Sequence, residues 1–148
     1  MNLHNIFLQA HRGFAYLELL LVVVFIIALL VVMLKESGKI SKLLRKSTLF
    51  VMIFFHIQLI VGLLMLVVSS PFLDIIDEQG MGAIMKNSAL RYTYIEHPFS
   101  MLICVVLMTI INKKVKTSER ISVGIAVMAL IAIALFAYAI PFAKLFNS

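Results

Sequence analysis

The chain predicts an all-α membrane protein, a single up-down bundle of four transmembrane helices over residues 1–148, and three observations carry that prediction. Hydrophobic residues make up 63% of the sequence and charged residues 14%, with a mean hydropathy of +1.10, too little polar surface to clothe a soluble globule. The apolar residues gather into four runs, Phe14–Leu34, Leu49–Ser70, Tyr92–Ile111 and Ile121–Ile140. Each approaches or exceeds the roughly 20 residues a helix needs to cross about 30 Å of hydrocarbon, and none alternates as a barrel strand would. The basic residues, finally, cluster in two of the three connections.

The first run is too long for the apolar core of a secretory signal, has only Arg12 before it and no small-residue cleavage site after it, so it is expected to stay as a helix. Lys35, Lys39, Lys42, Arg45 and Lys46 follow it. The second run holds His56, with Gln58 and Gly62 one turn apart on another face, where an interhelical hydrogen bond and a close crossing are expected. The connection 71–90 carries Asp74, Asp77 and Glu78 against Lys86, and its two mildly amphipathic stretches, separated by Gly80 and Gly82, suit an interfacial or capping segment. Pro98 stands in the first turn of the third run, where its missing N–H is harmless. Lys113, Lys114, Lys116 and Arg120 precede the fourth, whose Ser122, Ala126 and Ala129 form a small-residue packing face. By the positive-inside rule both basic connections are cytoplasmic, leaving both termini and the acidic connection outside.

Several function classes fall away. The net charge of +6 is a topology signal that also suits anionic lipid headgroups, so no nucleic-acid partner is expected. Cys104 is the sole cysteine, which leaves no disulfide framework and no thiol-rich metal site. Glu96-His97-Pro98 lacks the second histidine of a zincin, and no phosphate loop or nucleophile–base set is visible, so hydrolytic activity is not expected.

Three residues inside apolar runs are costly there: Glu18, His56 and His97. An ionisable group at bilayer depth costs at least about 2.5 kcal/mol and normally faces a bundle interior. Measured from run midpoints at about 1.5 Å per residue, Glu18 and His97 lie roughly 9 and 8 Å to the outer side, and His56 roughly 5 Å to the inner side. Glu18 is therefore expected to pair with His97. His11 follows the helix face of Glu18 near the outer mouth. Below His97 the positions Ser100, Met101, Cys104 and Met108 make a small, polar or polarisable stripe fit to line a flat cofactor or simply to fill a core. The face of His56 is apolar, so it is expected to need a partner on another helix. Three readings follow. One is haem b held by imidazoles from two helices, with Arg12, Arg91, Tyr92 and Tyr94 near the outer mouth for the propionates. Another is a proton or ion path through Glu18, His97 and His56. The last is a non-haem accessory or scaffolding subunit whose polar residues lock helices together.

The segments HIQLIVGLL (His56 to Leu64) and MKNSALRYTYIEHP (Met85 to Pro98), with a histidine before the first long apolar run, resemble small four-helix bacterial inner-membrane proteins labelled cytochrome b or cytochrome-b-like. The resemblance covers nearly the whole chain. It implies a haem-b-binding, electron-transferring membrane protein, with His56 and His97 as iron ligands, His11 near a third histidine position, and a larger respiratory complex or a homo-oligomer as its setting. The pattern departs at Asn112, where members often carry a histidine, and at Arg12, which adjoins His11 instead of following it at a distance. Depth puts His56 and His97 about 13 Å apart along the normal, which leaves open a His11–His97 pair or His97 with another group.

Overall fold

The computed structural model describes residues 3–142, most of them helical and none in a strand. Helix α1 (Leu3–Leu34) starts well before its apolar run, since nothing between Leu3 and Phe14 breaks a helix strongly. It ends where Ser37 and Gly38 take φ of 50° and 82°, and Gly38 N–H closes back on the Val32 carbonyl at 2.8 Å. Helix α2 (Lys42–Leu64) is capped by Ser41, whose hydroxyl accepts from Leu44 N–H, and runs on through a π-helical turn, Met65–Ser69. Lys42, Arg45 and Lys46 thus lie on the helix and not in a connection, as do Lys113, Lys114 and Lys116 on the later helix His97–Thr117. Hydropathy marks where lipid is expected to end, not where the backbone hydrogen bonds end.

The segment after Pro71 folds as three short helices, α3 (Phe72–Gln79), α4 (Met81–Lys86) and α5 (Ser88–Arg91). Gly80 at φ 76° makes the first corner, and the Asn87 side chain caps α5 by accepting from Ala89 and Leu90 N–H. A second π-helical turn, Tyr92–Glu96, leads into α6 (His97–Thr117). Helix α7 (Val123–Ala139) is capped by Ser122 and ends at Ile140, because a residue before proline is disfavoured from helical geometry. Its buried stripe is Ile125, Ala129, Ala132, Phe136 and Ala139, so of the expected packing face only Ala129 is fully buried.

Three helical stretches, Leu3–Leu34, Lys42–Ser69 and Ser88–Thr117, are long and apolar enough to cross a membrane, whereas α7 has 17 residues and rises only about 25 Å. Helices α1 and α2 pack closely, as do α2 and α6, and α6 and α7, but α1 and α7 barely meet. At the basic end the two connections are stitched together. Ile40 N–H donates to the Glu119 carbonyl and Ile121 N–H to the Gly38 carbonyl, each at 2.8 Å. The Arg45 guanidinium donates to the carbonyls of Val115, Lys116 and Ser118 at 2.6–2.8 Å, closing the C-terminal end of α6. Phe25, Val51, Phe55, Met108 and Ala132 fill the core above this end, with Phe55 stacked on Phe136 at 5.1 Å. Outward faces carry exposed Leu20, Ile27, Leu30, Leu64, Phe99 and Leu130, a surface suited to lipid and not to water.

Candidate functional site

Where α1 and α7 fail to meet, a cavity of about 340 Å³ opens between them. Helix α1 contributes Leu8, His11, Arg12, Ala15 and Glu18, residues three, four and seven apart and hence on one face. From α2 come Gln58 and, in its π-helical turn, Met65. The second π-helical turn brings Tyr92 and Thr93, and α6 brings His97 with Met101 one turn below. Helix α7 closes the side with Phe136 and Ala139, followed by Ile140 and Pro141. A smaller cavity of about 60 Å³ shares His11, Gln58, Met65, Thr93, His97 and Met101 and extends to Gly62, Ser70 and Tyr94. Both π-helical turns therefore border the site, a placement such turns often have.

The two imidazoles meet in a T-shaped, edge-type contact, with ring centroids 6.0 Å apart and planes at 72°. Each is held from behind. Nδ1 of His97 donates to the Ala139 carbonyl at 2.7 Å, one of the carbonyls that the last turn of α7 leaves unpaired, and the Tyr92 hydroxyl donates to the same carbonyl at 2.9 Å. A carbonyl only accepts, so Nδ1 carries the hydrogen and Nε2 keeps its lone pair in the neutral ring. His11 rests against Gly62, where an added methyl would meet its Cε1 at 3.2 Å, and its backbone carbonyl accepts from Gln58 Nε2 at 2.9 Å. The hydrogen bond and close crossing expected at Gln58 and Gly62 both form, and both serve His11. Three buried polar atoms at the cavity have no hydrogen-bond partner: His11 Nδ1, Glu18 Oε1 and Gln58 Oε1. Buried polar atoms are normally paired, so three on residues lining one cavity set it apart from the packed core.

Not every expected residue arrives. His56 lines neither cavity; it is half-buried, and its Nδ1 bonds the Met52 carbonyl of its own helix at 2.7 Å, so the partner expected on another helix is not needed. Arg91 also stands apart, its Nε on Glu96 Oε1 at 2.7 Å and its Nη1 on the Met85 carbonyl at 3.0 Å. Glu96 in turn accepts from the Tyr138 hydroxyl. Glu18, 2% exposed, does point inward, but no hydrogen bond joins it to His97, whose Nδ1 is taken by Ala139. The stripe below His97 divides: Met101 lines both cavities, whereas Cys104 and Met108 belong to the packed core, Cys104 Sγ lying 3.5 Å from the Ala132 carbonyl. Sequence reasoning missed Ala139 and Pro141; the signal was the Ile140-Pro141 step that ends α7 and frees its carbonyls.

A porphyrin iron would ask the chain for two donors, and His11 and His97, imidazoles lining one cavity with ring centroids 6.0 Å apart, are the residues that could supply them. A bare ion would be poorly held, since no group of three or more potential ligands occurs among the described residues. A macrocycle supplies four equatorial donors itself and asks the protein for two. No family model, no curated protein and no solved structure matches the chain.

Proposed function

We propose that the protein is a b-type cytochrome that passes electrons within a membrane, its haem held between His11 and His97. The observation that carries the reading is the pair of imidazoles, with ring centroids 6.0 Å apart, lining one largely apolar cavity. Haem b bound there would supply a one-electron redox centre. The chain's own residues do the rest. Ala139 fixes the tautomer and orientation of His97, and a carbonyl in that position strengthens the imidazole as a donor. Gly62 and Gln58 fix His11. Phe136, Met101 and Ala15 exclude water, while Arg12 provides positive charge at the rim for acidic substituents. In this reading the three long helical stretches and the shorter α7 all cross the bilayer, with both termini outside the cytoplasm, in a bacterial inner membrane. The two basic connections lying together at one end support that orientation. The site's exposed apolar flanks leave room for a larger respiratory assembly or a homo-oligomer.

Protein purified from its native membrane should be red. A pyridine haemochrome assay finding no haem would remove the reading. His11→Ala and His97→Ala should each lose the Soret band and His56→Ala should keep it; loss in His56→Ala with retention in His11→Ala would reassign the ligands.

One set of observations favours a second reading, a non-haem accessory subunit: Gln58–His11 and His97–Ala139 are also plain interhelical bonds. It expects function to survive His97→Gln and the purified protein to be colourless.

A further inference from the structure

Glu18 forms the floor of the cavity from α1, two turns below His11, and nothing in the redox reading uses it. It is 2% exposed with Oε1 unpartnered, and the wall of the cavity also includes the apolar Ala15, Met101 and Phe136. We propose that Glu18 is the proton-binding site of this cavity, taking one proton as the cavity takes one electron. The inference rests on the cytochrome reading above.

The argument is one of elimination among the groups that face Glu18. An electron entering a water-poor cavity is repelled by any fixed negative charge nearby, an interaction that low dielectric strengthens. A proton landing close by relieves it. On α1, His11 belongs to the redox pair and the Arg12 guanidinium offers only hydrogen-bond donors. From the other side, His97 has its Nδ1 on Ala139, Tyr92 has its hydroxyl on the Tyr138 and Ala139 carbonyls, and Cys104 has its thiol toward Ala132. Helix α7 lines the cavity with Phe136, Ala139, Ile140 and Pro141, and α2 with Gln58 and Met65, none of which titrates. With both imidazoles taken by the redox pair, Glu18 is the carboxylate left at the cavity, its Oε1 without a hydrogen-bond partner.

The balance is simple. One electron from a one-electron donor takes the iron from ferric to ferrous, one proton from water takes the Glu18 carboxylate to the carboxylic acid, and the charge of the cavity is unchanged. On oxidation both leave. The half-exposed rim of Leu8, Arg12, Tyr92 and Pro141 gives the proton its way in.

The test is a mediated spectroelectrochemical titration of the haem-loaded full chain across a series of pH values, with wild type beside Glu18→Gln. The expected wild-type midpoint potential falls as pH rises, approaching the tenfold-per-unit limit of about 59 mV for one electron, and the slope flattens in Glu18→Gln. A reduced-minus-oxidised infrared spectrum of wild type should gain a protonated-carboxyl C=O band that the variant lacks. Equal slopes in both proteins, or no such band in wild type, would overturn the proposal while leaving the cytochrome reading intact. If Glu18→Gln does not fold, the wild-type infrared band decides alone. Wild type without haem would remove the cytochrome reading itself, and this proposal with it.

Discussion

A single glycine sets how close α1 comes to α2 at His11. Because a methyl at Gly62 would press on the His11 ring at 3.2 Å, Gly62→Ala should push that ring toward His97 or tilt α1. Overpacking of this kind costs about 1–3 kcal/mol; the expected readouts are a shifted Soret maximum and earlier unfolding in a detergent titration. Gln58→Leu should cost less, roughly 0.6–1.7 kcal/mol, the range for interhelical hydrogen bonds in membranes, and should loosen His11 without removing it. The residues that reach the cavity were mostly legible beforehand: Glu18, His11 and Arg12 share a helix face, and Met101 sits one turn below His97. His56 was not. Periodicity says which side of a helix a residue takes but not which neighbour that side meets, and a histidine can satisfy one nitrogen on its own helix, as His56 does at Met52. The Arg91 ion pair was not legible for a different reason: it meets Glu96 five positions on, the spacing of a π-helical turn, for which composition gives no sign.

Element by element, the hydropathy pattern located every long helix but not its ends. The basic residues at the start of α2 and the close of α6 are good helix formers, so the helices continue past the apolar runs until Ser41 and Ser118 stop them. That extension creates the Arg45 contact with three carbonyls of the α6 C-terminal end, a bond pattern that also complements the helix dipole. Arg45→Ala should therefore cost about 1.5–3 kcal/mol, the range for hydrogen bonds from a charged group. Arg45→Lys should recover only part of it, since an ammonium lacks the planar fork that spans several acceptors. Thermal unfolding in detergent, followed by helical circular dichroism, measures both. The three short helices at the opposite end were read only as an interfacial or capping stretch, because Gly80 and Asn87 set corners that depend on backbone geometry and on local capping.

For the whole molecule, the up-down path predicts that Lys39 and Glu78 lie on opposite sides of the bilayer. Single cysteines at these positions, in a background where Cys104 is buried, should react with a membrane-impermeant thiol reagent from opposite faces. Labelling from the same face would contradict the orientation. The sequence announced an all-helical chain with long apolar helices and which basic connections share an end; it did not announce that the ring of contacts is left open between α1 and α7, since that depends on how the helix crossing angles add up. The open seam bears on assembly in time. With the basic end pinned by Arg45 and the crossed connections, α1 and α7 stay apart at the cavity. If haem is bound as proposed, that seam would give a broad, flat molecule dissolved in the bilayer a sideways path to the site after the chain is inserted and folded, and the same path out. Weakening the pin by Arg45→Ala should then quicken transfer of the haem to a scavenger such as apomyoglobin, although the substitution sits at the far end of the bundle.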